Sequence, residues 1–141
     1  MANAATRYVR KTGNDSNSGS SASSAWQTLN KAFTTLAAGD VCYVGAGTYT
    51  EGTLTTTNSG TAANRIQLIA DIGGANTGDA GTVYFNRNNT SGGTTGMYIT
   101  KDYWTINSFK IYNAYDGVRI NNATGTVLQN CEVYSLSLIH I

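Results

Sequence analysis

The chain of 141 residues carries nine lysines and arginines against eight aspartates and glutamates, so its formal net charge is only +1. This balance predicts no binding surface for nucleic acid or acidic lipid, because both need a clustered excess of positive charge. Sixteen glycines, no proline and 12% charged residues exclude a helical bundle and a disordered chain. What remains is one domain of mostly β structure with a polar, largely uncharged surface.

The predicted elements begin with a helix that follows the N-terminal segment. Ser23 or Ser24 provides its N-cap and Gly39 ends its pattern. Four apolar residues recur at helical spacing and form its buried face: Trp26, Leu29, Phe33 and Leu36. Beyond it, short apolar runs alternate with Gly, Asn, Ser and Thr, which is typical of strands joined by tight turns. The predicted strands cover 41–44, 66–70, 82–85, 97–100, 104–112, 118–121 and 126–134.

No membrane or targeting segment is predicted. No window reaches the roughly 18 consecutive apolar residues of a membrane span, and the first residues lack the apolar core of a secretory signal. Cys42 and Cys131 lie in apolar runs. We therefore predict free, buried thiols rather than a disulfide.

An internal repeat of 21 to 22 residues dominates the second half of the chain. The segment 96–100 (Gly-Met-Tyr-Ile-Thr) recurs as 117–121 (Gly-Val-Arg-Ile-Asn), and the apolar positions of 106–112 recur in 128–134. So short a period predicts one turn of a parallel solenoid, in which each coil stacks like residues on like.

The repeat also predicts which outward side chains lie side by side on neighbouring coils. It places Tyr98 beside Arg119 and Thr100 beside Asn121. It also predicts Tyr112 beside Tyr134 and a cross-coil ion pair between Lys110 and Glu132, a surface pair that contributes at most about 1 kcal/mol.

Three segments then resemble the start of right-handed parallel β-helix proteins of the pectate-lyase-like superfamily: 7–19, 25–32 and 36–51. The resemblance implies an all-β fold, a right-handed single-stranded parallel β-helix with an N-terminal capping α-helix. Residues 1–135 would form the cap and the first three to four coils. Because superfamily members usually have more coils, we interpret the chain as the N-terminal part of a longer protein. Ala25 stands where family members often carry proline.

The last residues, 136–141, fit this pattern poorly. They resemble the translation of a sequencing-library adapter, so we interpret them as a non-native tail on a truncated metagenomic reading frame. The alternative is an ordinary apolar strand. In the first case His140, the only histidine of the chain, is not native.

The resemblance implies action on a polysaccharide, but it transfers no catalytic residue. The calcium-dependent lyases of the superfamily stack several aspartates on adjacent coils, and this sequence has no Asp-Asp or Asp-x-Asp cluster. The candidate binding site combines aromatic rings with charged groups, which suits sugar stacking and bidentate contacts. Its members are Tyr98, Lys101, Asp102, Tyr103, Tyr115, Asp116 and Arg119. The alternative is that they are ordinary surface ladder residues.

Calcium is a candidate cofactor at one further place. Asp15 and Asn17 have the alternating oxygen spacing of a calcium loop, but the later bidentate glutamate is missing. A turn in which both side chains bond nearby backbone is the competing interpretation.

Two functions remain open from the sequence. The first is the N-terminal part of an extracellular, polysaccharide-binding or polysaccharide-acting protein, either a lyase or a glycoside hydrolase, with this portion inactive by itself. The second is a structural or adhesive β-helix of a phage tail spike, a tail fibre or a cell surface. The tail-spike version implies a homotrimer on a virion.

Overall fold

All strand pairings in the computed structural model, which describes residues 4–137, are parallel. Over these residues the chain has one short α-helix, α1 (Leu29–Thr35), and a single 3₁₀ turn at Ala22–Ser24. The strands are β1 (Thr6–Val9), β2 (Val41–Val44), β3 (Gly47–Thr50), β4 (Leu54–Thr55), β5 (Ile66–Ala70), β6 (Val83–Asn89), β7 (Thr95–Ile99), β8 (Trp104–Asn107), β9 (Lys110–Ala114), β10 (Asp116–Ile120), β11 (Val127–Gln129) and β12 (Glu132–Tyr134).

The strands form three sheets that run along the length of a solenoid. Sheet 1 has the order β1-β2-β5-β8-β11, sheet 2 the order β3-β6-β9-β12, and sheet 3 the order β4-β7-β10. Each coil contributes one strand to each sheet, so β2 to β4, β5 to β7 and β8 to β10 are complete coils. The parallel solenoid predicted from the 22-residue repeat is confirmed.

The register of the coils also agrees with the repeat. Val118 pairs with Met97 in sheet 3, and Val133 pairs with Ile111 in sheet 2. Alternate residues point inward and build one continuous core, in which Met97 and Ile111 are fully buried. The predicted ion pair between Lys110 and Glu132 forms at 3.1 Å.

Corner residues repeat as strictly as the strands. Ser108 and Asn130 have positive φ values of 68° and 54°, and Asn113 and Ser135 have values of 57° and 52°. Ser108 and Asn130 lie at the corner between sheet 1 and sheet 2, whereas Asn113 and Ser135 lie where the chain leaves sheet 2. At each corner the left-handed conformation recurs one coil later. Asparagine tolerates this conformation better than most residues, which accounts for part of the unusual composition.

Helix α1 covers the N-terminal end of the solenoid. Phe33 is fully buried and stacks on Trp104 with ring centroids 5.3 Å apart. The Trp104 indole donates a hydrogen bond of 2.8 Å to the Asn58 carbonyl. The helix thus buries its apolar face against the first coils and covers strand edges that would otherwise promote association.

The predicted start and end of this helix are wrong. Ser21 caps the 3₁₀ turn, whereas α1 has Thr28 as its N-cap and ends at Thr35. Trp26 lies outside the helix, because its backbone amide donates to Tyr8 and its carbonyl accepts from Arg10. This pairing with the first strand fixes an extended backbone at Trp26, so the helical spacing from Trp26 to Leu29 is coincidental.

Two carboxylates hold the first turn of α1. Asp15 accepts hydrogen bonds from the amides of Gln27 (2.8 Å) and Thr28 (3.0 Å) and from the Thr28 hydroxyl (2.6 Å). Glu51 accepts from the amides of Leu29 (2.8 Å) and Asn30 (2.9 Å). Together they satisfy amides that a helix start leaves without intrahelical partners.

These two carboxylates differ in pKa. Burial raises the pKa of Glu51 and outweighs its two amide hydrogen bonds. Burial also acts to raise the pKa of Asp15, but the hydrogen bonds from Thr28 and Gln27 prevail, and the pKa is lowered. Asp15 therefore stays ionised at the start of the helix.

A second ion pair ties the longest turn to the N-terminal segment. Residues 71–82 connect β5 to β6, and Asp79 in this loop binds Arg10 through two hydrogen bonds of 2.7 and 2.8 Å. Asp71 folds the loop by accepting from the amide and hydroxyl of Thr77. The Arg10 contact holds the pKa of Asp79 below its usual range.

Both cysteines are free thiols. Cys42 is buried, and burial raises the pKa of its thiol. Cys131 is partly buried. Among residues 4–137, no helix is long and apolar enough to cross a membrane.

We expect Asp15→Ala to lower the free energy of unfolding by about 1–2 kcal/mol, since the partly buried amide and hydroxyl of Thr28 lose their acceptor. Urea unfolding at neutral pH measures this. Asp15→Asn, which keeps one acceptor oxygen, is the matched control and should lose less. Equal losses for the two variants would contradict the capping role.

We expect the stability difference between the native protein and Arg10→Gln to shrink as the pH falls below about 4. The folded pKa of Asp79 lies below its ordinary value of 3.8, so the unfolded chain takes up the proton first. The stabilisation is therefore complete above the ordinary pKa and is lost as the pH drops through the folded one. Urea midpoints across this range measure the effect. Lys101→Gln, which removes an exposed cation, should show a difference independent of pH.

Candidate functional site

The outer face of sheet 3 brings Tyr98 and Arg119 together, as the repeat predicts. The two residues pair across β7 and β10, and both point outward because their neighbours Met97 and Val118 are buried. The Arg119 guanidinium carbon lies 5.8 Å from the centre of the Tyr98 ring. The Asn121 amide donates a hydrogen bond of 2.9 Å to the Tyr98 hydroxyl. The ring and its hydroxyl are thus both held in place by the next coil.

This face carries positive charge that no carboxylate neutralises directly. Arg119 and Lys101 are exposed, and the ion pairs within residues 4–137 are Arg10–Asp79 and Lys110–Glu132. Arg87 lies at the opposite end of β7, where its Nε donates to the Thr95 carbonyl at 3.1 Å. Arg87 itself belongs to β6 of sheet 2, so the exposed cations of this face are Arg119 in the middle and Lys101 at one edge.

Lys101, Asp102 and Tyr103 form the turn that leaves sheet 3 toward sheet 1. Asp102 accepts a hydrogen bond of 2.7 Å from the Thr124 amide one coil further on. Tyr103 has a φ of 57°, and the Arg65 guanidinium carbon lies 5.8 Å from the centre of its ring. Asp102 and Tyr103 thus connect coils, whereas Lys101 remains exposed at the edge of the outer face.

Tyr115 and Asp116 lie at the other end of the sheet, in the turn before β10. Asp116 has the same strand parity as Val118 and is only 7% exposed, so it does not share the outer face with Arg119. The Tyr115 amide donates to the Thr94 carbonyl at 3.1 Å. The structure therefore separates these two candidates from Tyr98 and Arg119.

Asn121 and Thr55 belong to the site but are absent from the sequence-based candidates. The repeat already aligned Asn121 with Thr100, so its outward position offered a usable signal. Thr55 pairs with Tyr98 from β4, a strand of two residues. So short a strand leaves no alternation in the sequence by which to detect it.

The outer face of sheet 2 also carries tyrosines, but these stack on one another. Tyr112 and Tyr134 are parallel within 4° with centroids 5.3 Å apart, and Tyr84 meets Tyr112 edge-on at 6.0 Å. The predicted stacking of Tyr112 with Tyr134 is confirmed. Because ring faces are used within the ladder, this surface offers less room for ligand stacking than the surroundings of Tyr98.

The candidate calcium loop uses its groups within the protein. Both carboxylate oxygens of Asp15 accept hydrogen bonds at the helix start, and the Asn17 side-chain amide donates to the Ala25 carbonyl at 3.0 Å. Within residues 4–137, no group of three or more acidic, histidine or cysteine side chains is placed to hold a metal ion. The residues present do not fit the stacked-aspartate calcium site of the superfamily lyases.

The parallel coils, three sheets and end-capping helix define a right-handed parallel β-helix. The chain belongs to the Pel9A-like right-handed β-helix family, whose model matches residues 7–137. A search of curated protein sequences returned no match.

Solved structures of three lyases share this fold. An alginate lyase from Paenibacillus sp. str. FPU-7 aligns with a TM-score of 0.68 and 24% identity, over 92% of this chain and 37% of the lyase. Pectate lyase Pel9A aligns with a TM-score of 0.68 and 20% identity, over 96% of this chain and 41% of that one. A rhamnogalacturonan lyase aligns with a TM-score of 0.61 and 18% identity, over 92% of this chain and 51% of that one. The chain thus spans about half or less of the length of each lyase.

Proposed function

We propose that the outer face of sheet 3 binds an acidic polysaccharide outside the cell, as part of a lyase-like β-helix protein. The observation that carries the proposal is the pairing of Tyr98 with an exposed Arg119 that has no ion-pair partner among residues 4–137. A guanidinium presents several N–H donors in one plane and binds a carboxylate through two hydrogen bonds at once.

The geometry around Tyr98 prepares this face for a sugar. The cation–π contact restrains Arg119 before a ligand arrives, which lowers the entropy lost on binding. Since Asn121 donates to the Tyr98 hydroxyl, the hydroxyl keeps its own hydrogen for a ligand oxygen. One face of the site therefore offers a cation, a hydroxyl donor and an aromatic ring.

The structural relatives support an acidic rather than a neutral polymer. Their names specify alginate, pectate and rhamnogalacturonan, which all contain uronic acid units. A polymer that carries a carboxylate at regular intervals matches a face with the exposed cations Arg119 in the middle and Lys101 at one edge. The same proposal holds that the whole protein acts on such polymers outside the cell, while the face described here binds them.

Binding, not cleavage, is the role that we assign to these residues. The carboxylates of Asp15 and Glu51 hold helix α1, and that of Asp79 holds Arg10. None of the three is positioned beside Tyr98 to act with it as an acid or a base. Cleavage of a polysaccharide by the protein would require groups other than Asp15, Glu51 and Asp79.

We expect Arg119→Gln to weaken binding of oligogalacturonate or oligomannuronate by about 10- to 100-fold, the range for hydrogen bonds to a charged group. Calorimetric titration at low salt measures the dissociation constant. Lys110→Gln removes a cation from sheet 2 and is the matched control, with unchanged affinity expected. Unchanged affinity in Arg119→Gln, or no binding of either oligomer by the native protein, would overturn the proposal and favour the structural or adhesive role.

We expect the isolated chain to release no unsaturated uronate from pectate, alginate or chondroitin, because no group of three or more acidic, histidine or cysteine side chains within residues 4–137 is placed to hold a metal ion that would act on the uronate. The absorbance of the unsaturated product measures this, with an active pectate lyase as positive control. Product that increases with the concentration of this chain would contradict the assignment of binding alone.

A further inference from the structure

Sheets 2 and 3 each begin with an outward threonine beside a tyrosine, Thr48–Tyr84 on sheet 2 and Thr55–Tyr98 on sheet 3. The two tyrosines differ in their contacts, since Tyr84 meets the Tyr112 ring edge-on whereas Tyr98 meets a cation. On sheet 3, Thr55, Tyr98 and Arg119 follow one another along the solenoid. Arg119 lies over the Tyr98 ring, while a small threonine occupies the position on the preceding coil. Among residues 4–137, the described ring and cation contacts of Tyr98 are limited to this one.

The size difference between Thr55 and Tyr98 leaves a notch. Adjacent strands are about 4.8 Å apart, and the phenol ring extends well beyond the threonine hydroxyl and methyl groups. Thr55 therefore reaches only the part of the Tyr98 ring that lies nearest the backbone. We call the space above Thr55 the Thr55 notch.

The residues that flank Thr55 do not fill the notch. The Thr53 hydroxyl donates to the Thr95 carbonyl at 2.7 Å, and the Thr57 hydroxyl donates to the Thr34 carbonyl at 3.0 Å. Both side chains are thus bonded to backbone at their own ends of the strand. A Cβ added at Gly52 would meet nothing within 4 Å, so the approach from the preceding turn is also open.

We infer that the Thr55 notch is a sugar subsite in which a pyranose ring stacks on the free face of Tyr98. This inference rests on the proposed function and specifies it. The sugar in this subsite must present an unsubstituted face of C–H groups to the ring, because an acetyl group or branch there would collide with Tyr98 or Thr55. The sugars that follow it pass over Tyr98 toward Arg119 on the next coil, so the polysaccharide follows the solenoid axis.

The test fills the notch with a second ring. Thr55→Tyr places a phenol beside Tyr98, in the manner in which Tyr134 lies on Tyr112. It leaves both Tyr98 and Arg119 intact. We expect binding of oligogalacturonate or oligomannuronate to weaken by about 3- to 10-fold, the factor that corresponds to one aromatic stacking contact.

Thr48→Tyr is the matched control. Thr48 precedes Tyr84 on sheet 2 in the same way that Thr55 precedes Tyr98 on sheet 3. The control adds the same side chain next to a tyrosine on another face, and its affinity should equal that of the native protein. Circular dichroism and the thermal midpoint verify that both variants fold.

A second measurement uses the native protein and does not depend on a folded variant. In the complex with the oligosaccharide, nuclear Overhauser effects should connect ring protons of Tyr98 to C–H protons of one sugar. Absence of these effects in a saturated complex would overturn the notch.

The outcomes separate the two proposals. Weakened binding in Thr55→Tyr and unchanged binding in Thr48→Tyr support the notch. Unchanged binding in Thr55→Tyr together with weakened binding in Arg119→Gln overturns the notch and leaves the proposed function standing. Unchanged binding in both Thr55→Tyr and Arg119→Gln overturns both.

Discussion

In-register stacking of successive coils is the constraint on which the rest of this structure depends. Parallel backbone hydrogen bonds place each residue beside its counterpart one coil earlier, as Val118 lies beside Met97 and Val133 beside Ile111. The inner columns then form a continuous apolar core. The outer columns form ladders whose chemistry is set by the residues that happen to be neighbours. The Tyr98–Arg119 pair and the Tyr112–Tyr134 stack are two results of the same rule.

The strands at the end of a solenoid have unpaired backbone groups, which a cap must cover. Helix α1 supplies the cover, and its first turn depends on Asp15 and Glu51, which come from different parts of the chain. Arg10 and Asp79 add a third link between the cap region and the second coil. These polar contacts contribute mainly to the position of the cap, while the burial of Phe33 against Trp104 supplies apolar stabilisation.

The sequence predicted the second half of the chain well, because 96–112 and 117–134 repeat on both the inner and the outer face. The Tyr98–Arg119 pair followed directly from that offset. The first half contains no such internal comparison, since the insertion at 71–82 interrupts the second coil and β4 has only two residues. The start of the helix was misplaced because hydrogen bonds between Trp26 and the first strand outweigh local helical spacing. Asp116 was grouped with Arg119 although strand parity places it on the inner side.

The repeat changes from 21 to 22 residues at one corner, and this has a consequence for how the outer face can diversify. Six positions separate Ile99 from Thr105, but seven separate their partners Ile120 and Val127. The turn from sheet 3 to sheet 1 has therefore accepted an additional residue while all three sheets kept their pairing. A turn that borders the outer face of sheet 3 can therefore gain a residue while the strands that position Tyr98 and Arg119 keep their register.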